Sequence, residues 1–260
     1  MGKKRDKPPC CVKGHRQGIV RAMHVEPVKT AVFQEGEDLV AFIVKHVPRP
    51  KGGSILCVAS KIVALAEGRV VEAANTKEKE QLIQSESQWQ RKVLPQWWLT
   101  VRDGTVVVNA GIDESNADGK LVLLPQDSFR SAATLRTKLK KIYRIKNLGI
   151  IITDSRITAL RAGVVGVALG YAGFRGVRDY RGTTDIFGRM MEVTQTDIAD
   201  SLATAATLVM GEGKEQQPLA VITDAPVQFS ERVQRNELRI PMKDDLYKDL
   251  FRTEPRKKRR

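Results

Sequence analysis

Three carboxylates stand where a hard cation or a phosphate could be approached closely: Asp113, Asp154 and Glu212. Asp113 follows the apolar stretch Thr105–Val108 and the small residues Asn109-Ala110-Gly111. Asp154 ends the apolar run Leu148–Thr153, and the Ser155 hydroxyl comes next. Glu212 lies between Gly211 and Gly213, just past a helical pattern. Mg²⁺ and Mn²⁺ prefer oxygen ligands and usually share them with substrate phosphates. Asn116 adds an amide suited to phosphate or ribose. Taken one at a time, each residue is more readily read as a turn former or cap, since Asp and Asn hydrogen-bond their own backbone. Their spacing is no diagnostic metal signature.

Other chemistry-bearing residues are weaker. Gly163, Gly166 and Gly170 form GxxGxxxG, which is neither a P-loop nor a dinucleotide fingerprint, so a packing or close-approach role is expected. Arg161, Arg181 and Arg189 could fork onto the carboxylates of an acidic substrate. Structural ion pairs with Asp179 or Asp185 are the competing reading. Trp97-Trp98 reads as core or interface. The three histidines are scattered, and no HExxH or GxSxG motif occurs. Cys10, Cys11 and Cys57 make no CxxC pair, which disfavours a structural zinc site or a disulfide framework.

The elements that must position these residues alternate along the chain. Strands are expected at 19–28, Ser54–Ser60, Arg69–Ala73, Thr105–Val108, Leu121–Leu124, Leu148–Thr153 and Leu219–Thr223, and Ala162–Tyr171 is apolar with spaced glycines. Helices are expected after Glu35-Gly36-Glu37-Asp38, over Lys61–Glu67, through 76–93, over Ser128–Tyr143 and over Thr196–Met210. Gly68 suits the left-handed cap of the second helix. Interspersed strands and helices place the chain in the α/β or α+β class.

The net charge of +14 over 260 residues invites a nucleic-acid reading. It is carried by the tails: residues 1–21 hold +6 and residues 252–260 hold +5, leaving +3 on the body. Only weak contact with polyanions through these tails is expected. The charged N-terminus does not read as a secretory signal, and no apolar run reaches the roughly 18 residues of a membrane span. A cytoplasmic protein is the resulting expectation.

Seven ordered blocks carry a family resemblance: VASKIVALAEGRVV (58–71), NAGIDESN (109–116), LLPQDSFRSAATLR (123–136), LGIIITDS (148–155), GVVGVALGYAGF (163–174), DYRGTTDIFGR (179–189) and DIADSLATAATLVMGEG (197–213). In this set the chain resembles the coenzyme F-420-0:L-glutamate ligase (γ-glutamyl ligase) family. The resemblance implies an α+β fold, a two-lobed single unit with mixed sheets that pairs into an intertwined homodimer. Residues 19–245 would form that unit, with basic tails at 1–18 and 246–260. It implies a ligase that joins L-glutamate to an acid acceptor through an amide bond. GTP or ATP would be the co-substrate, with two Mg²⁺ or Mn²⁺ ions and a monovalent cation such as K⁺. By the same resemblance Asp113 and Asp154 would hold one divalent ion, and Ser155 with Glu212 the other. Ser60, Lys61, Asn116, Met210, Gly211 and Gly213 would meet the nucleotide. No general base is identified. Residues 28–33, Leu65 and the stretch Arg156-Ile157-Thr158-Ala159 depart from the family's pattern. They direct two alternatives: the same chemistry on a folate or protein carboxylate, or a non-catalytic module whose tails contact nucleic acid.

Overall fold

The computed structural model describes residues 22–72, 75–115, 117 and 119–251. Its strands are β1 (His24–Val28), β2 (Ser54–Ala59), β3 (Val70–Val71), β4 (Trp89–Leu94), β5 (Trp97–Arg102), β6 (Thr105–Val108), β7 (Leu121–Val122), β8 (Leu148–Ile157), β9 (Val164–Ala172), β10 (Val177–Asp179), β11 (Gln195–Asp197) and β12 (Leu219–Thr223). Its α-helices are α1 (Leu39–His46), α2 (Ser60–Ala66), α3 (Thr76–Ser85), α4 (Ser128–Tyr143) and α5 (Ile198–Met210). The class is mixed α+β with several sheets.

A five-stranded sheet in the order β1-β12-β2-β8-β9 organises the core. The central pair β2 and β8 is parallel, with Ser54 opposite Leu148 and Ala59 opposite Thr153, and the other pairings are antiparallel. Both faces are covered. Leu56, Val58, Ile150 and Ile152 point into one apolar cluster with α1, α2 and α4. Ile55, Cys57 and Ile151 point into a second with α5. That double burial explains why β2 and β8 read as continuous apolar runs instead of alternating ones. The alternation of faces sends Asp154 and Ser155 to opposite sides of β8.

Helix ends follow their capping residues. Asp38, Asn75, Asp127 and Asp197 each accept a hydrogen bond from a backbone N–H in the first turn of α1, α3, α4 and α5. Glycines set the distance between α4, α5 and β9. A Cβ on Gly166 would stand 2.5 Å from the Ala203 carbonyl oxygen of α5, and one on Gly170 would stand 2.4 Å from the backbone of Ser128 in α4. The glycine pattern is therefore a packing device. Gly163, the third member, meets nothing within 4 Å.

Three local expectations are corrected. The helix expected through residue 93 stops at Ser85, and Trp89–Leu94 forms β4 of an antiparallel β4-β5-β6 meander. Trp89 and Arg91 are the more buried positions of an alternating run, and Trp89 packs edge-on against Phe251, ring centroids 5.5 Å apart. The strand expected to end at Thr153 continues to Ile157, because β9 pairs with it as far as Ile157–Val164. Asp154 and Ser155 thus lie inside a strand, just past a register shift between Ile152 and Thr153. The helix expected over Thr196–Met210 starts at Ile198, because Thr196 and Asp197 belong to β11 and Asp197 caps the helix, whose buried face is Ile198, Ala199, Leu202, Ala203, Ala206 and Met210.

Asn116, the N-terminal tail and residues 252–260 lie outside the described residues. Before residue 252 the chain makes a 3₁₀ turn at Lys248–Phe251. Among the described residues no helix is long and apolar enough to cross a membrane.

Candidate functional site

The cleft opens beside the end of β2 and the neighbouring stretch Thr153–Ser155 of β8. It has a volume of about 460 Å³ and is lined by Ser60, Lys61, Asp113, Asp154, Ser155 and Glu212 among others. Three separate segments deliver all of these but Asp113. The β2–α2 junction supplies Ser60 and Lys61, the middle of β8 supplies Asp154 and Ser155, and the end of α5 supplies Met210 through Gly213.

Asp113 arrives by an unusual path. After β6 the backbone makes a left-handed turn, with φ of 51° at Asn109, 56° at Ala110 and 74° at Gly111. Consecutive non-glycine residues in this region are strained and persist only when their surroundings over-determine them. Here Asn109 Oδ1 accepts from the Trp98 N–H at 2.8 Å, and the Ala110 N–H donates to Thr100 Oγ1 at 2.9 Å. Gly111 admits no side chain, because a Cβ would sit 2.7 Å from Leu124 Cγ. The turn hands Asp113 to a backbone bridge with Val122, both N–H···O contacts at 2.9 Å.

Lys61 Nζ meets Asp113 Oδ2 at 2.7 Å and also donates to the Ser115 carbonyl at 2.6 Å. Asp113 Oδ1 accepts from the Ser115 N–H at 2.7 Å and its hydroxyl at 2.8 Å. Burial pushes the Asp113 carboxyl up, but Lys61 and Ser115 outweigh it and hold the group below its ordinary range. Asp154 Oδ1 accepts from the Ser60 hydroxyl at 3.1 Å, while Oδ2 accepts from Arg156. Glu212 is pushed up by burial first, and the charges of Asp154 and Asp113 add to this; the Ser155 hydroxyl and Lys61 act against it. The three carboxylates are therefore within electrostatic reach of one another.

Several wall residues were not singled out in the sequence. Leu123, Leu124, Thr207 and Glu215 line the cleft, beside residues 30–33 and Leu65, which the sequence marked as departures from the family's pattern. Glu215 Oε2 accepts from the Gly213 N–H at 2.8 Å, closing the turn after α5. Thr30 N donates to the Gln216 carbonyl at 3.0 Å, joining this turn to the segment after β1. Only the unusual run Met210-Gly211-Glu212-Gly213 hinted at that wall.

The arginine candidates lie elsewhere. Arg181 is half exposed and forks onto Asp179, Nη2 to Oδ2 at 2.6 Å, as the ion-pair reading has it. The Arg189 N–H donates to Asp185 Oδ1 at 2.9 Å. Arg161 is exposed in the β8–β9 connection. None of the three lines the cleft.

The donor set bears on a metal. Carboxylate and hydroxyl oxygens are the ligands that Mg²⁺ and Mn²⁺ take. Among the described residues no three His, Cys, Asp or Glu groups close to coordination distance of one point. Lys61 and Arg156 instead occupy one oxygen each of Asp113 and Asp154. Ser155 and Glu212, with the remaining carboxylate oxygens, fit divalent ions in chemistry.

The fold and the cleft define a mixed α+β protein with a concave, carboxylate-lined site of a size suited to small molecules. The chain belongs to the F420-0:Gamma-glutamyl ligase family, whose model matches residues 27–224. It is similar to the coenzyme F420:L-glutamate ligase of Archaeoglobus fulgidus, 36% identical over 208 residues, covering 74% of this chain and 83% of that protein. The protein of the same name from Methanopyrus kandleri is 34% identical over 223 residues, covering 78% of this chain and 88% of its own. That from Methanocaldococcus jannaschii is 30% identical over 247 residues, covering 88% of this chain and 98% of its own.

Proposed function

We propose that the chain is a metal- and nucleotide-dependent γ-glutamyl ligase, forming an amide between L-glutamate and an acid acceptor of the coenzyme F-420-0 kind. The observation that carries this is the convergence of Asp113, Asp154, Ser155 and Glu212 with Ser60 and Lys61 on one cleft, in a chain of this family. The residues are far apart in sequence, which a set of unrelated turn formers would not explain.

A carboxylate is a poor electrophile because its oxygen leaves poorly. In the proposed reaction an acceptor carboxylate oxygen bonds to the γ-phosphorus of GTP or ATP, and the nucleoside diphosphate leaves. The glutamate amine then attacks the acyl carbon, and inorganic phosphate leaves as the amide forms. Two divalent ions, held by Asp113 with Asp154 and by Ser155 with Glu212, would neutralise phosphate charge as it moves; a monovalent ion such as K⁺ would accompany them. Lys61 and Ser60, with the Met210–Gly213 turn and Asn116, would position the nucleotide. The chain's main contribution is orientation, which can lower a barrier by roughly 7–11 kcal/mol. No side chain is assigned as the base that takes the amine proton. The reading places the protein in the cytoplasm, where its nucleotide is found.

A homodimer is part of the same reading. The arm between β10 and β11 holds Ile186, Phe187 and Val193 almost fully exposed. A second copy would cover such residues.

The acceptor has a second candidate class, a folate or protein carboxylate. Apolar Val32, Phe33 and Leu65 line the cleft in stretches that depart from the family's pattern. One assay tests both readings. The protein is incubated with GTP or ATP, Mn²⁺, L-glutamate and each acceptor in turn. Diphosphate release that requires glutamate and is lost in Asp154→Ala supports the ligase, and the active acceptor names the substrate. Absence of turnover with every acceptor, joined to salt-sensitive RNA binding through the tails, would replace it with a non-catalytic binding module.

A further inference from the structure

One end of the molecule is basic in a way that the ligase reading does not use. The parallel strands β2 and β8 begin side by side, Ser54 opposite Leu148. The five steps from Ser54 to Ala59 put roughly 17 Å between this end and the cleft. The connections that lead into the two strands come from the C-terminal ends of α1 and α4. Tyr143 Oη donates to the Val47 carbonyl at 2.6 Å, and the Gly53 N–H donates to the Asn147 carbonyl at 2.8 Å, so the two connections form one surface. Lys45, Arg49 and Lys51 reach it from the first and Lys141, Arg144 and Lys146 from the second, and all six are exposed. No Asp or Glu occurs in residues 39–66 or 128–153. Among the described residues none of the six forms an ion pair; Glu231 is taken by Arg136 and Lys140.

The N-terminal stretch joins the fold at the same end. Strand β12 runs antiparallel to both β1 and β2, setting Thr223 opposite His24 and Ile222 opposite Ile55. Strand β1 therefore starts where β2 starts. Residues 1–21, which carry +6, enter the sheet there. The body's net +3 averages this end with acidic stretches elsewhere.

Helix dipoles account for part of the cluster. Lys45 and Lys141 stand in the last turns of α1 and α4, where a cation is favoured. Arg49, Lys51 and Lys146 lie beyond the helices and have no such reason. Peripheral membrane helices join a basic face to Trp, Phe or Leu that enter the lipid; in residues 39–53 and 138–147 the one exposed large apolar side chain is Ile142. Protein–protein interfaces are depleted of Lys, and four of the six cations are Lys. A spread of cations with no apolar centre fits spaced phosphates, which Lys and Arg contact without reading bases. We propose that this end of the sheet docks the phosphate backbone of a nucleic acid, with residues 1–21 adding to it, without sequence preference and independently of the cleft.

The full chain and two triple variants test it. Lys141→Gln, Arg144→Gln, Lys146→Gln removes half of the surface charge. Lys77→Gln, Lys243→Gln, Lys248→Gln removes as much charge on α3 and in the segment that ends at Phe251. A labelled single-stranded RNA of about 20 nucleotides, longer than one site, is titrated by fluorescence anisotropy at several NaCl concentrations. The expected result is wild-type binding that the first variant weakens about tenfold or more at low salt, with the slope of log K against log salt shallower by about 2, the counterions of three phosphates. The second variant should lose less than about threefold. Two unrelated RNA sequences should bind alike. Equal losses in the two variants reduce the effect to net charge and overturn the proposal. So does the absence of RNA binding at low salt, or binding that is abolished by deleting residues 1–21 and untouched by the first variant. Equal, variant-sensitive binding to phosphatidylserine vesicles or to polyglutamate overturns the nucleic-acid assignment. Circular dichroism checks the fold, and should the first variant not fold, Arg49→Gln with Lys51→Gln takes its place. Asp154→Ala should bind RNA as the wild type does while losing turnover, so the surface and the ligase reading stand or fall separately.

Discussion

Lys61 Nζ reaches Asp113 Oδ2 at 2.7 Å and so ties the first turn of α2 to the left-handed turn after β6. The pair is partly exposed, 23% for Lys61 and 43% for Asp113. Such a pair contributes little to folding, on the order of 0–1 kcal/mol. Its position in the cleft gives it a different weight in binding. Lys61→Met should therefore unfold at nearly the wild-type temperature yet raise KM for the nucleotide about tenfold or more. Thermal melts and steady-state kinetics at varied nucleotide check both halves. A large fall in melting temperature would instead make the pair a structural clamp.

The turn that carries Asp113 depends on Gly111. Its φ of 74° disfavours a side chain, and a Cβ there would overlap Leu124. Gly111→Ala combines backbone strain with overpacking, so a loss of about 2–4 kcal/mol is expected. Urea unfolding measures it. The larger substitution Gly111→Val should cost more, since Leu124 is itself buried.

Acid stability should carry the signature of Asp197, the cap of α5. Burial first, and then the charge of Asp200, raise its pKa to about 6, while the Asp200 N–H pulls it down. The folded state therefore prefers the protonated form. Stability from this group is fully present below the unfolded carboxyl value and is lost as pH rises through about 6. The window runs from about pH 4 to about pH 6, with a loss on the order of 1–2 kcal/mol after discounting for partial exposure. Asp197→Asn keeps a side-chain acceptor for the cap and should flatten that part of the stability–pH curve. Melting temperatures of both proteins across this range decide the matter.

What the sequence disclosed follows physical locality. The helix Ser128–Tyr143 and the strand Leu219–Thr223 are legible to the residue, because a cap, a periodic stripe and a short apolar run are local signals. The β4–β5 hairpin was hidden, since Trp89 and Arg91 alternate within a stretch of helical composition. Asp113, Asp154 and Glu212 were visible as residues, and ordered family blocks grouped them; no spacing rule did so. Thr30 and Leu65 were visible as departures from the family's pattern, whereas Thr207 and Glu215 were not, because only the folded sheet brings their segments to the cleft. Arg156 was read as a departure from a pattern. Its burial against Asp154 belongs to the folded strand and cannot be seen in a string of residues.

Arg136 and Glu231 should show how unequal the two halves of one ion pair can be. Arg136 is buried in α4, its Nε donates to the Leu148 carbonyl at 2.8 Å, and its two Nη atoms fork onto Glu231 at 2.8 and 2.9 Å. Glu231 is 68% exposed and also meets Lys140 at 2.9 Å. Arg136 and Lys140 hold its carboxyl down at about 2. Removing Glu231 leaves Arg136 its carbonyl partner and lets water reach the exposed end of the fork, so Glu231→Gln should cost less than about 1 kcal/mol. Arg136→Met removes the donor that satisfies the Leu148 carbonyl, 1% exposed at the start of β8, and should cost about 2–4 kcal/mol. Urea midpoints of the two single variants and the double variant test this. If Glu231→Gln proves as costly as Arg136→Met, the exposed fork, not the buried carbonyl contact, holds α4 to the sheet.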